Sequence, residues 1–592
     1  MNLNLPSAEI QRIILLVALG ITAYLLMLAW QQDYGGPRAR PAESPASAEE
    51  SAAWEREGVP RREGQREGVP RREGWPDAPS GFDEPTGYDF DVPEPATAAD
   101  TVEPPPMVDP ALERARLIEV ATPAMTAWID PLGGDIVGVH LPQYPISLEQ
   151  PDRPFVMLDR RPDHTYIAQS GLAGPDGIDA RSGRPHYTAT LRSYRVEQEP
   201  RQVVLRHEED GLIVEKRFLF DPASYLVGLE YAIDNRRDRP FTANLFAQLK
   251  RDAQLPETGQ GFTLGPRPYL GAALTTVDSR YEKVDFEDLE DEELREEVRG
   301  GWIAILQHYF LSAWVANRDH VNTYYGYPNR RGDGTYIVGF TGPAFTVPPG
   351  GTGRVDAGFY AGPKDQGRLE EIAPNLNLTV DYGFLWWLAV PLFRLLEIIQ
   401  SGVHNWGVAI ILMTLVIKLI LYPLSHASYK SMAKMRKLAP QMKRLQERHA
   451  GDRQKLSQEM MELYRKEKAN PLGGCLPMLL QMPVLIAMYW VLYESVELRQ
   501  APFFGWVHDL SAMDPFFILP ILMGLSTYAQ QLLSPPPPDP MMARMMKMMP
   551  IMFTVLFVFF PAGLVLYWLV NNLLSMAQQW FTNYRIEKAE SA

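Results

Sequence analysis

Six long apolar runs, one near the start of the chain and five in its last third, rule out folding as a single water-soluble globule. A bilayer's hydrocarbon core is matched by about 20 helical residues. Ile13–Trp30 carries no charge and, at about 1.5 Å per residue, reaches roughly 27 Å. Trp30 and Tyr34 stand where interfacial aromatics belong. The run is long for a secretory signal, and no clear small-x-small cleavage site follows before Gln31, so residues 1–30 are expected to be an uncleaved anchor. Trp406–Leu424, Cys475–Leu492 and Phe516–Leu533 are three further candidate spans. Met545–Phe581 is too long for one crossing, and Pro561-Ala562-Gly563 divides it into Met545–Phe560 and Leu564–Phe581. Tyr382–Gln400 differs from these. It is apolar on one face only, with a Trp pair, Pro391, Arg394 and Glu397, which suits a helix lying in the interface, in a segment spanning 376–405.

Loop charge orients the spans. Between His426 and Pro471 there are 12 Lys/Arg against 5 Asp/Glu, and basic loops stay in the cytoplasm. Counting spans from there puts both termini in the cytoplasm and the segment between the first two spans outside. The basic loop, 426–470, is expected to be a helical hairpin. Met432, Met435, Met442 and Leu445 form one apolar stripe, Leu456, Met460 and Leu463 a second, and Ala450-Gly451 separates them. Pro440 should bend the first arm.

The segment outside has two parts. Residues 31–107 are rich in Pro, Glu, Arg, Gly and Ala, with Arg56–Gly64 repeated at Arg66–Gly74. Such a stretch cannot bury enough apolar surface to offset its ordering entropy, so it reads as a disordered tether. In 108–375 the apolar period becomes two. Tyr225, Val227, Leu229, Tyr231 and Ile233 alternate with a partly polar set; Leu212, Val214, Phe218 and Phe220 do the same, interrupted by Lys216. Turn signals such as Asp210-Gly211 and Pro349-Gly350-Gly351 recur. These features predict a large antiparallel β-sandwich. Helical patterning is confined to Glu287–Arg299 and a run near Arg368–Asn375.

Several function classes fall away. A net charge of -15 argues against DNA read through a basic face. The one cysteine, Cys475, excludes a disulfide framework and a Cys-cluster metal site. No Ser-His-Asp spacing, HExxH or phosphate loop is present, so no catalytic residues and no cofactor or metal are expected.

Polar residues within the spans carry the functional signal. Lysine at a helix centre costs about 2.5–3.5 kcal/mol on insertion scales. Lys418 lies six residues before Leu424, so it could snorkel to the cytoplasmic interface. Thr414, however, lies one turn earlier on the same face, and other spans contribute Gln481, Tyr567, Trp568, Asn571 and Asn572. Such groups are accommodated together only by facing one another or water. With no acidic residue deep in a span, they suggest a wet cavity open to the cytoplasm that accepts an anionic or polar guest.

At this point whole segments resemble the YidC membrane-protein insertase family of Gram-negative bacteria. They are Leu378–Trp387, Tyr422–Arg436, Asn470–Pro483, Glu497–Gly524 and Phe560–Trp568, with Ser170–Gly177 in the β region. The resemblance implies a polytopic α-helical membrane protein of the inner membrane. It would have a five-helix insertase core (406–592) with a hydrophilic groove, and a periplasmic β-supersandwich similar to sugar-mutarotase folds. Lys418 matches the position of the family's usual groove arginine, a departure that keeps the charge and loses the planar fork. Thr414, Tyr567 and Trp568 match substrate-contacting positions, and Gln481 and Asn571 match groove-lining ones. The implied function is insertion and folding of nascent membrane proteins, alone or with the Sec translocon and its accessory subunits. Ribosomes and targeting factors would meet the hairpin, and the lipid bilayer would receive the client. A solute transporter or channel using Lys418 in its pathway is the alternative.

Overall fold

In a computed structural model of the chain, the described residues are 116–179, 183–254, 268–329, 334–449, 453–467, 476–533 and 540–591. The expected anchor (1–30) and tether (31–107) lie outside them.

The alternating segments form two large sheets, of ten and nine strands. Phe241–Asp252 and Thr335–Val347 pair antiparallel near the middle of the first. Leu226–Asn235 pairs with Leu212–Phe220 and Thr352–Pro363 in the second. Among the described residues all strand pairings are antiparallel except that of Ile118–Ala121 with Ser193–Arg195. One continuous apolar core joins the sheets, with Leu249 and Phe340 from one and Trp314 and Phe359 from the other. Trp314 Nε1 crosses it to donate to the Gln248 carbonyl at 3.0 Å. The predicted sandwich is therefore present, and Val227, Leu229, Tyr231 and Ile233 are its inward set.

Two local features need a tertiary explanation. Lys216, the charged break in the apolar set of its strand, is fully buried on the inward face. Its ammonium donates to the carbonyls of Gly133 and Ser170, both at 3.0 Å, beside the Arg184–Asp135 and Arg184–Asp179 ion pairs. Buried charge is tolerated when paired and hydrogen-bonded. Glu287–Arg299 is not a helix. A single turn, Asp288–Asp291, gives way to the strand Leu294–Arg299, which pairs with Val321–Pro328. Sheet pairing outweighs the helix preference of its glutamates.

The run near Arg368 is helical as expected: α1 (Gln366–Ile372) is capped by Asp365. Beyond it most of the described residues are helical, apart from the largely irregular stretch 495–517. The α-helices there are α2 (Trp386–Val403), α3 (Trp406–Ile420), α4 (Tyr422–Arg448), α5 (Arg453–Lys466), α6 (Leu476–Glu494), α7 (Ile518–Leu533), α8 (Pro540–Phe557) and α9 (Ala562–Ser591). Asn405 caps α3, accepting from Val408 N at 3.0 Å. Asp514 accepts from Leu519 N at 2.6 Å at the start of α7. The Pro561 break separates α8 from α9. In the basic hairpin, α4 and α5 meet through Leu438, Met442 and Tyr464, with Met435, Met460 and Leu463 against them.

Every apolar run expected within the described residues is thus helical. By length and composition, one helix among the described residues, Gly383–Val403, suffices for a bilayer crossing alone. The pair α3 and α4, bent by 68°, suffices together. Gly383–Val403 contains the helix expected to lie in the interface. Its Ala389, Leu392, Phe393 and Leu396 are buried, while Trp386, Trp387 and Ile398 are exposed.

Candidate functional site

The site is organised around α9, which packs against α3, α4, α6 and α7. Residues four apart share one helical face. On α9 that spacing aligns Tyr567, Asn571 and Ser575, flanked by Asn572 and Gln579. All five are buried. A helix with a polar stripe facing its neighbours must have its hydrogen bonds met by them.

The neighbours meet most of them. Lys418 is 5% exposed, and its ammonium reaches from α3 to the Ser575 hydroxyl at 2.6 Å. Ser575 donates in turn to the Asn571 carbonyl at 2.7 Å. Gln481 Nε2, on α6, donates to Asn571 Oδ1. On the other flank Asn572 Nδ2 donates to Ser526 Oγ at 3.0 Å and Thr527 Oγ1 at 2.9 Å, both on α7. Gln579 Nε2 reaches the Leu533 carbonyl, at the end of α7, at 3.0 Å. The result is a polar seam linking α3, α6, α7 and α9 inside a helical assembly whose outer faces carry Leu419, Leu525, Met545 and Val555.

Lys418 therefore turns inward and does not snorkel. Its one hydrogen-bond partner among the described residues is the neutral Ser575 hydroxyl; no carboxylate there pairs with it. Thr414 is buried on the same side, but its hydroxyl is spent on its own helix, donating to the Ile410 carbonyl at 2.6 Å. Tyr567 Oη and Trp568 Nε1 are buried without a hydrogen-bond partner among the described residues. Trp568 leans on Phe553 and Phe557 of α8. Lys418, Gln481 and Asn571 thus fall on one connected chain. Thr414, Tyr567 and Trp568 lie on the same helices without joining its hydrogen bonds.

Ser575 and Ser526 escaped the sequence reading. The signal for Ser575 was present, since it stands four residues beyond Asn571 and eight beyond Tyr567. Ser526 had no such mark, because its role depends on which face of α7 meets Asn572.

Two family models divide the described chain between them: the YidC periplasmic domain over residues 117–395 and the 60Kd inner membrane protein over residues 398–589. The membrane protein insertase YidC of Azotobacter vinelandii is 48% identical over 585 residues, covering 98% of this chain and 99% of its own. That of Pseudomonas fluorescens is 48% identical over 584 residues, with the same coverage. A crystal structure of an active YidC insertase with its first transmembrane domain resolved aligns with 78% of this chain and 92% of its own, at 19% identity and a TM-score of 0.35. With nearly full-length relatives at 48% identity, the chain belongs to the YidC family of membrane protein insertases.

Proposed function

We propose that this membrane protein insertase passes the polar flank of a nascent client along the seam between α3, α6 and α9, while the client's apolar segment moves sideways into lipid. The observation that carries the reading is Lys418. A charge held among membrane helices costs about 2.5–3.5 kcal/mol, and here its partner is a single neutral hydroxyl. An acidic side chain in the client would give it a better one. Tyr567 and Trp568, with unmet polar atoms, offer further transient contacts. Opening the seam exchanges internal hydrogen bonds for bonds to water and client, so the polar tail avoids a full thickness of hydrocarbon. Burial of the client's apolar segment in lipid supplies the driving force. The process makes and breaks no covalent bond.

In this reading the chain crosses the inner membrane six times, through Ile13–Trp30 and the apolar parts of α3, α6, α7, α8 and α9. Both termini are cytoplasmic and the β domain is periplasmic; α2 lies along the interface. Loop charge supports this orientation. The insertase acts alone or with the Sec translocon, and the α4–α5 hairpin is the cytoplasmic receiving element for ribosomes and targeting factors. Its basic charge and apolar methionine seam support that role.

The test is insertion of a single-span client into vesicles holding the purified protein, read as protection of the client's tail from external protease. Protection that rises with protein and falls in Lys418→Glu supports the reading. Solute flux through the same vesicles without tail protection would contradict it and favour a transporter.

A further inference from the structure

A cavity of about 960 Å³ lies where the β domain meets the membrane half. Its membrane side is aromatic. Phe516 and Phe517, just before α7, are exposed, and Phe559 and Phe560, in the turn before α9, are half-buried. Its opposite side is polar, formed by the strand end at Ile146–Gln150 and by Arg153. In the crossing proposed above, α6 ends, α7 begins and α8 turns into α9 on the periplasmic side. The cavity then lies at the head-group level of the outer leaflet, the depth at which aromatic side chains concentrate.

Arg499, half-buried at the cavity wall, holds donors in reserve. Its Nη2 donates to the carbonyls of Pro145 at 2.7 Å and Ile146 at 3.4 Å, and the guanidinium rests on the Phe310 ring at 5.6 Å. Its Nε and Nη1 have no hydrogen-bond partner among the described residues, and neither is sealed from solvent. Asp509 is the one carboxylate whose charge acts on it. Asp509 Oδ1 already accepts from Gln500 N at 3.1 Å and Ser511 Oγ at 2.7 Å. A guanidinium with spare donors suits a phosphate.

The remaining charges decide which phosphate. Two guanidinium groups, Arg153 and Arg499, face three carboxylates, Glu149, Asp509 and Asp514. Asp514 is spent on Trp506 Nε1 at 3.0 Å and Leu519 N at 2.6 Å. Glu149 is exposed at the strand end and has no ion-pair partner among the described residues. A wall with both signs and no cationic excess favours a zwitterion over an anion.

The backbone of this wall is also strained. Gln500 and Phe517, both lining the cavity, sit at φ of 59° and 57°. Side chains other than glycine rarely adopt that region, and where the surroundings enforce it the strain gathers at ligand clamps. Gln500 is held there from both sides, its N–H by Asp509 and its Nε2 by the Pro145 carbonyl at 3.0 Å.

We propose that this cavity binds one zwitterionic phospholipid of the outer leaflet. Its phosphate meets Arg499, its head-group ammonium meets Glu149, and its acyl chains leave along Phe516, Phe559 and Phe560. The inference rests on the membrane crossing read above and goes beyond the seam.

The test uses the full chain in vesicles of equal phosphatidylethanolamine and phosphatidylglycerol. The protein is extracted in mild detergent and weighed with its retained lipid by native mass spectrometry, and client insertion is measured on the same vesicles. One phosphatidylethanolamine per chain is expected to survive extraction. Arg499→Gln should lower its occupancy at least about tenfold, the effect of one lost hydrogen bond to a charged group. Ser147→Trp, which fills the cavity and keeps the hydrogen bonds of Arg499, should do the same. Glu149→Gln should keep a lipid but lose the preference for ethanolamine over glycerol. No retained lipid, occupancy undiminished in both Arg499→Gln and Ser147→Trp, or a preference for phosphatidylglycerol overturns the inference. So does displacement by inorganic phosphate, which would mark a plain anion site, or a retained mass that is client peptide. Normal insertion alongside any of these results leaves the insertase reading standing.

Discussion

Replacing Lys418 by a neutral residue of similar volume, Lys418→Met, should impair insertion selectively, in proportion to the acidity of the client's translocated tail. The size of the effect follows from its surroundings. In the resting protein the ammonium has the Ser575 hydroxyl at 2.6 Å, and a hydrogen bond to a charged group contributes about 1.5–3 kcal/mol. A client carboxylate at about 4 Å would attract it by roughly 4 kcal/mol at an effective dielectric of 20. If the client displaces Ser575, about 1–2.5 kcal/mol remains, a bias of roughly 5- to 70-fold. Lys418→Glu should fall below Lys418→Met on acidic tails, since repulsion adds to lost attraction. Lys418→Arg should retain activity because the charge stays. The assay is protease protection of paired clients differing only in tail charge, at matched insertase levels. Equal protection with Lys, Met, Glu and Arg on every client would refute an electrostatic role and leave Lys418 as a packing residue.

Further outcomes follow from other parts of the fold. Asn571→Leu removes the partner of Gln481 and should slow insertion of polar tails of either sign, with little change for clients lacking a tail; equal slowing of both would point to misfolding instead. Breaking the buried pair of Lys364 with Glu494, 3.6 Å apart at the junction of β domain and α6, by Glu494→Gln should cost about 3–5 kcal/mol, read as earlier thermal unfolding, whereas an unchanged midpoint would deny that the pair holds the junction. Burial holds Lys216 down from the ordinary lysine range to about 7, so the unfolded chain binds more protons between about pH 7 and 10.5 and the stability of the protein should rise with pH across that window. Lys216→Met should remove this part of the rise, and identical slopes for the two proteins in a pH series of melting temperatures would contradict it. Deleting 436–466 should reduce insertion of ribosome-bound clients while leaving that of pre-synthesised ones intact; undiminished cotranslational insertion would reject the hairpin's receiving role.

The β sandwich was legible where side chains obey the period of two. Val227, Leu229, Tyr231 and Ile233 alternate in sequence and are buried in the fold. Lys216 kept that period while breaking the polarity rule, because the carbonyls that satisfy it come from Gly133 and Ser170, 83 and 46 residues away. Glu287–Arg299 misled for a related reason: its glutamates favour a helix locally, and the partner strand at Val321–Pro328 becomes visible only in the folded sheet. In the membrane half, Lys418, Gln481 and Asn571 stood out because polar groups in apolar runs need partners, yet the identity of those partners was hidden. Ser575 is a small residue among many, and it becomes the acceptor for Lys418 only because α3 crosses α9 at that level. The buried place of His308 was likewise illegible, since the Tyr493 carbonyl that its ring meets lies 185 residues away.

The central claim, that client peptide travels along the seam between α3 and α9, is tested most directly by site-specific photocrosslinking from Thr414 and Trp568 to stalled ribosome–nascent chains. Adducts should form at both positions and shift along the client as the chain lengthens. Positions on the exposed outer side of the same helices, such as Leu419 and Leu573, should capture only the client's apolar segment. Adducts of the polar tail at Leu419 and Leu573, with none at Thr414 and Trp568, would show that clients pass outside the seam and would contradict the account.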